Sequence, residues 1–125
     1  VTGLSADEPN NAEVGLATVA VERPADDIAV VHVDGEVDMV TAPALESQVV
    51  TLLGEKPRVL VIDLTDVRFF SSAGLAVLAL AHREADDHTQ LRVVASDPAV
   101  MRPLELTGLT EDLFIRPTLK AAIEG

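Results

Sequence analysis

The sequence predicts an α/β fold: a mixed, mostly parallel sheet of about five strands covered by helices, in the order β-β-α-β-α-β-α-β-α. Three observations lead there. Residues 16–23 (LATVAVER) and 28–34 (IAVVHVD) are β-rich runs flanking a short polar connection at 24–27, the pattern of an antiparallel hairpin. Residues 58–64 (RVLVIDL) form a continuous apolar run, which is how a strand buried on both faces reads in a parallel sheet. Beyond the hairpin, strand-like runs alternate with segments whose apolar residues recur at helical spacing.

Each element has its own signal. Thr41 and Pro43 are helix-start residues, Leu45, Val49, Leu52 and Leu53 follow at helical spacing, and Gly54 and Pro57 stop the helix. After the apolar strand and a loop, residues 74–85 (GLAVLALAHREA) read as a second helix, closed by Asp86, Asp87 and His88. Residues 91–95 (LRVVA) are a short buried strand. Ser96-Asp97-Pro98 then opens a third helix, which runs to about Leu106 and meets Pro103, where a kink or irregular turn is expected. Thr107-Gly108-Leu109 ends it, residues 113–115 make a last strand, and residues 118–123 a closing helix. Val59, Val61, Ile62, Leu75, Leu78, Val93 and Val94 are the expected core. Residues 1–13 are polar, acidic and turn-rich and read as a disordered lead to a single domain over 14–125.

Composition excludes several functions. The chain of 125 residues has room for one domain and no second. With 9 basic against 21 acidic residues and a net charge of −12, it repels phosphate backbones and anionic lipid surfaces, and three Phe with no Tyr or Trp leave no platform for base stacking. No nucleic acid and no membrane partner is therefore expected. Without Cys there is no disulfide, thiolate metal site or thiol switch. No apolar stretch reaches the roughly 18 residues of a membrane span, and the N-terminus lacks the basic and apolar regions of a signal peptide. A cytoplasmic location is expected.

Catalytic and metal signatures are weak. Ser71 and Ser72 lie between a strand and a helix, but the G-x-S-x-G elbow is absent. His32 falls in a strand pattern, and His82 and His88 on or beyond a helix, so none reads as a base for either serine. Asp86-Asp87-His88 are consecutive, and consecutive helical side chains diverge rather than converge on a metal. No phosphate-binding glycine loop is present. A serine at a helix start is a favoured N-cap. A hydroxyl there is also a good place for a phosphoryl group, because free N–H groups and the helix dipole stabilise the added anion.

The loop carrying the serines reads Asp63-Leu64-Thr65-Asp66-Val67-Arg68-Phe69-Phe70-Ser71-Ser72-Ala73-Gly74-Leu75, with Phe69 and Phe70 expected to anchor it to the core. It resembles, without a gap, the STAS-domain pattern Asp-Leu-Ser-x-Val-x-Phe-x-Asp-Ser-Ser/Thr-Gly-Leu of the anti-sigma factor antagonist family. Gly35-Glu36-Val37-Asp38-Met39-Val40-Thr41-Ala42-Pro43 is similar to that family's Gly-Glu-Ile/Leu-Asp-x-x-x-Ala-Pro element, and Leu106-Thr107-Gly108-Leu109 to a third. The three stand in the family's order over residues 16–124.

The resemblance implies a STAS fold and a regulatory binding protein rather than an enzyme, with no cofactor and no metal. Its partner would be an anti-sigma factor that is a serine kinase of the histidine-kinase-like ATPase type. Binding frees a sigma factor, phosphorylation of the loop serine ends binding, and a phosphatase restores it. Ser71 stands where the family has Asp, Ser72 holds the first hydroxyl position, and Ala73 replaces the second hydroxyl. The phosphoacceptor is therefore expected at Ser72, with Ser71 next. Gly35, Asp38, Thr41, Ser71, Ser72 and Gly74 are the expected partner-binding residues, because functional groups gather at strand carboxyl ends in α/β sheets. A monomer or weak dimer is expected. The alternative is a STAS-type signalling scaffold with a different partner and no phosphorylation control. A phospho-receiver is disfavoured, since the opening hairpin breaks its parallel order and Arg116-Pro117 follow the last strand where a Lys is needed.

Overall fold

The computed structural model describes residues 11–14 and 17–125. Six strands form one sheet in chain order: β1 (Asn11–Val14), β2 (Ala17–Ala25), β3 (Ile28–Val37), β4 (Val59–Phe70), β5 (Gln90–Val94) and β6 (Phe114–Arg116). The first three run antiparallel, and β3 through β6 are parallel. The parallel strands are joined through α1 (Ala42–Gly54), α2 (Ser72–Ala85) and α3 (Pro98–Leu106), the last followed by a short 3-10 turn at Leu109–Glu111; α4 (Leu119–Glu124) ends the chain.

The mixed sheet and element order agree with expectation, with one strand added. Asn11–Val14 falls mostly within the lead expected to be disordered over 1–13, yet it forms β1 and pairs with β2 at the sheet's edge. An edge strand can be held by ladder hydrogen bonds alone, so apolar alternation does not announce it. Residues 1–10 of that lead lie outside the described residues.

Two apolar layers flank the sheet. Successive right-handed crossovers that move one way along a sheet put their helices on one face. Accordingly Leu45, Val49 and Leu52 of α1, Val77 and Leu78 of α2, and Val100 and Leu104 of α3 share a core with Val31, Val33, Leu60, Ile62 and Val93. Ala122 of α4 packs on the opposite face against Ile28, Val30, Val59, Val61 and Val94. This explains the continuous apolar run: Leu60 and Ile62 point to one layer, Val59 and Val61 to the other, and all four are fully buried. Of the expected core only Leu75 is half-buried, packed at the rim of the larger layer. Arg92, itself buried, holds α4 down by donating from Nη1 to the Ala122 and Ile123 carbonyls at 2.8 and 3.0 Å.

Helix α3 runs to Leu106, its expected end, with Pro103 inside it. Two local differences stand out. The hairpin turn is tighter than expected, with Ala25 opposite Ile28 and only two residues between them. Most important, β3 and β4 are longer than their apolar runs and stay paired beyond them, with Asp34 opposite Asp66, Gly35 opposite Val67, Glu36 opposite Phe69 and Val37 opposite Phe70. Residues 65–70, expected as loop, are therefore strand.

Candidate functional site: two adjoining turns at the ends of β3 and β4

The shared extension of β3 and β4 brings two turns side by side. Ser71 N–H donates to the Val37 carbonyl at 2.9 Å, which ties the start of α2 to the end of β3. The two expected loops are thus neighbours through backbone.

The β4–α2 junction is built on one glycine and one cap. Ser71 has an extended backbone and is the N-cap of α2; its Oγ accepts from the Ala73 N–H at 3.2 Å, and its carbonyl accepts from Gly74 and Leu75. Ser72 is the first helical residue, and it is exposed. The two serines have therefore separated: one oxygen is spent on the helix, while the other is presented to solvent. Gly74 is buried, and a Cβ there would lie 2.6 Å from Phe70 Cε1 and 2.9 Å from Val37 Cγ1. Only glycine lets the first turn of α2 sit this close to the ring and the strand. Phe70 is the loop's core anchor; Phe69, expected to share that task, points outward and is half-exposed. Alternation of side chains along the extended strand separates the pair.

The β3–α1 turn is held by a reciprocal clasp. Asp38 Oδ1 accepts from the Val40 and Thr41 N–H groups at 2.9 and 3.0 Å. Thr41 Oγ1 accepts from the Asp38 N–H at 2.9 Å and donates to the Glu36 carbonyl at 2.6 Å. Thr41, the N-cap residue of α1, uses its buried hydroxyl here rather than on a helix N–H. The N–H donors of Thr41 and Val40 hold the Asp38 carboxyl below its ordinary pKa, so it stays charged. Gly35 is buried with φ of 116°, a left-handed value that favours glycine, where the β3–β4 register shifts.

The six expected partner-binding residues thus divide. Gly35, Thr41 and Gly74 are buried and have no side-chain surface to offer; they shape the turns. Asp38 and Ser71 are half-buried, and Ser72 is exposed. Reading the sequence missed Met39 and Val40, the exposed tip of the clasped turn, although two large apolar residues between Asp38 and Thr41 are a readable signal.

A cavity of about 710 Å³ lies between α3 and the end of β6, and none of the residues of the two turns lines it. No histidine is free to serve the serines as a base in the manner of a hydrolase. His32 lies within β3 and is held by two carboxylates, with Nδ1 2.9 Å from Asp63 Oδ2 and Nε2 2.6 Å from Glu22 Oε1. Burial lowers the affinity of that ring for a proton, but the Glu22 and Asp63 carboxylates outweigh it and raise the pKa. His82 and His88 are exposed on or after α2. Among the described residues no group of three His, Cys, Asp or Glu is placed to hold a metal, Asp86-Asp87-His88 included, and no helix is long and apolar enough to cross a membrane.

Residues 20–122 match the family model of the STAS domain. Over 98 residues the chain is 36% identical to the anti-sigma-F factor antagonist RsfB of Mycobacterium tuberculosis, covering 78% of this chain and 80% of RsfB. The crystal structure of an anti-sigma factor antagonist from Mycobacterium paratuberculosis superimposes with a TM-score of 0.82 at 44% identity, covering 86% of this chain and 92% of that one. SpoIIAA, a Bacillus cell fate determinant, in its phosphorylated form, has the same fold at 16% identity, with a TM-score of 0.66 and 85% and 96% of the two chains covered.

Proposed function

The chain belongs to the STAS-domain family, and from that membership we propose that it is an anti-sigma factor antagonist switched at Ser72. It binds an anti-sigma factor through the adjoining β3–α1 and β4–α2 turns and so releases a sigma factor for transcription. The partner is a serine kinase of the histidine-kinase-like ATPase type, the two meet in the cytoplasm, and a phosphatase reverses the modification. The observation that carries the switch is the division of labour between the serines. Ser71 Oγ caps α2, in the place where the family has an Asp, so the cap of this chain carries no charge. Ser72 holds an exposed hydroxyl at the first helical position. A phosphoryl group there sits at the positive end of the helix dipole and leaves the fold intact. It adds roughly 1.5–2 negative charges in the middle of the contact.

Buried Gly35, Thr41 and Gly74 fix the two turns, Asp38 clasps one of them, and Ser71 and Ser72 form the centre of the contact. The purified chain is incubated with its cognate kinase and Mg-ATP, and intact mass and peptide mapping locate any phosphate. One phosphate on Ser72, absent from Ser72→Ala, is the expected result. Ser72→Glu should fold normally and bind the anti-sigma factor at least about tenfold more weakly, a loss of about 1.4 kcal/mol. Binding without any phosphate transfer would mean that the switch is lost here and only the binding module is kept.

A further inference from the structure

Large apolar side chains held in water side by side mark a surface that another molecule covers. Of five exposed large hydrophobic residues among those described, two form the tip of the β3–α1 turn, Met39 at 83% exposure and Val40 at 64%, and a third, Phe69 at 51%, stands at the end of β4 two residues before Ser71. The other two, Val50 and Leu106, lie apart on α1 and at the end of α3.

Folding does not explain the three. The Asp38 clasp uses the backbone N–H groups of Val40 and Thr41 and the Thr41 hydroxyl, so any polar residue at positions 39 and 40 would close the same turn. Phe69 stands opposite Glu36 on the paired extension of β3 and β4, while its neighbour Phe70 does the anchoring. The clasp also limits the entropy cost of binding, because Met39 and Val40 are carried on a backbone already fixed. Four carboxylates share these segments: Asp38 precedes Met39, Glu36 stands opposite Phe69, and Asp34 stands opposite Asp66 on the same paired extension. The basic residue of these segments, Arg68, reaches toward Asp34 at 3.4 Å.

We propose that Met39, Val40 and Phe69 are the apolar anchors of this surface, seated in a hydrophobic recess of the anti-sigma factor whose rim is basic and faces the four carboxylates. The inference rests on the antagonist reading given above and assigns its specificity: the anchors supply affinity, the acidic rim supplies steering, and Ser72 is where a new charge disturbs both.

The test is titration calorimetry of the domain against purified anti-sigma-F factor of Mycobacterium tuberculosis, with RsfB as the positive control, at low and high salt. The double variant Met39→Ser/Val40→Ser and the single variant Phe69→Ser are each expected to bind at least about tenfold more weakly, with thermal midpoints unchanged. Leu106→Ser and Val50→Ser are expected to match the parent. Raising salt should weaken the parent and the anchor variants by the same factor, since screening acts on the rim and leaves the apolar contact alone. Parent-like binding by both anchor variants would overturn the anchors and leave the antagonist reading standing. An equal loss in Leu106→Ser would also overturn them. Failure of the parent to bind both this factor, where RsfB binds, and its own cognate anti-sigma factor would overturn the antagonist reading and the anchors with it.

Discussion

Gly74 is the residue on which the junction of β4 and α2 depends. Its missing Cβ is what allows the Phe70 ring and Val37 to pack under the first turn of α2. Gly74→Ala should destabilise the domain by on the order of 1–3 kcal/mol, the cost of overpacking a site with no slack. Chemical denaturation at constant m-value measures this; a cost within a few tenths of a kcal/mol would mean the helix can simply lift. His32 makes a different kind of prediction. Its pKa is raised because the Glu22 and Asp63 carboxylates outweigh the effect of burial. A histidine with a raised folded-state pKa binds its proton more tightly in the folded than in the unfolded chain. Its stabilising contribution is complete below the ordinary imidazole value and is lost as pH rises through the raised one. Thermal midpoints of the parent should therefore fall relative to His32→Gln as pH is taken up through that interval. Parallel pH profiles for the two proteins would remove the role assigned to the carboxylates.

At the scale of elements, the two turns owe their shape to contacts that helix and strand propensity do not encode. Thr41 is buried, and its hydroxyl serves both the Asp38 N–H and the Glu36 carbonyl. Thr41→Val keeps the volume but leaves both groups without that partner. It should cost about 1–3 kcal/mol and weaken partner binding by loosening the turn. Unchanged stability would show that water replaces the hydroxyl. Strand β4 offers the corresponding test of the sheet. Val61 is fully buried against the layer that α4 covers. Val61→Ala should cost on the order of 1–3 kcal/mol from lost burial and a residual cavity, read by the same denaturation experiment. A cost below about 0.5 kcal/mol would place it in the range of surface positions. Both elements were legible in part. The apolar run identified β4, and Thr41 with Pro43 identified the start of α1. The Thr41–Asp38 clasp was not legible, because either residue alone reads as an ordinary cap.

For the whole molecule, charge and topology act together. A net charge of −12 on a chain of this size favours association with a basic surface and makes that association sensitive to salt. Sequential parallel strands bring the β3–α1 and β4–α2 turns to the same end of the sheet, so neighbouring positions on the protein surface come from separate stretches of chain. The affinity of the proposed complex should fall steeply between low and high salt while the thermal midpoint of the free domain changes little. Salt-independent affinity would deny the acidic rim a part in recognition.

Taken by itself, the sequence determined the alternation of strands and helices, the aliphatic layers on both faces of the central strands, and the serine pair at the start of α2. These are legible because they are local: the period of apolar residues, a cap, a proline or glycine at a boundary. Only the tertiary structure decided that β3 and β4 continue together past their apolar runs, that Asn11–Val14 joins the sheet, that Phe69 faces solvent while Phe70 is buried, and that Gly35, Thr41 and Gly74 shape the surface from beneath it. Each of these depends on a pairing or a packing contact between residues remote in the chain. No propensity carries that information, because the hydrogen bond or the van der Waals contact that settles the matter exists only once both partners are in place.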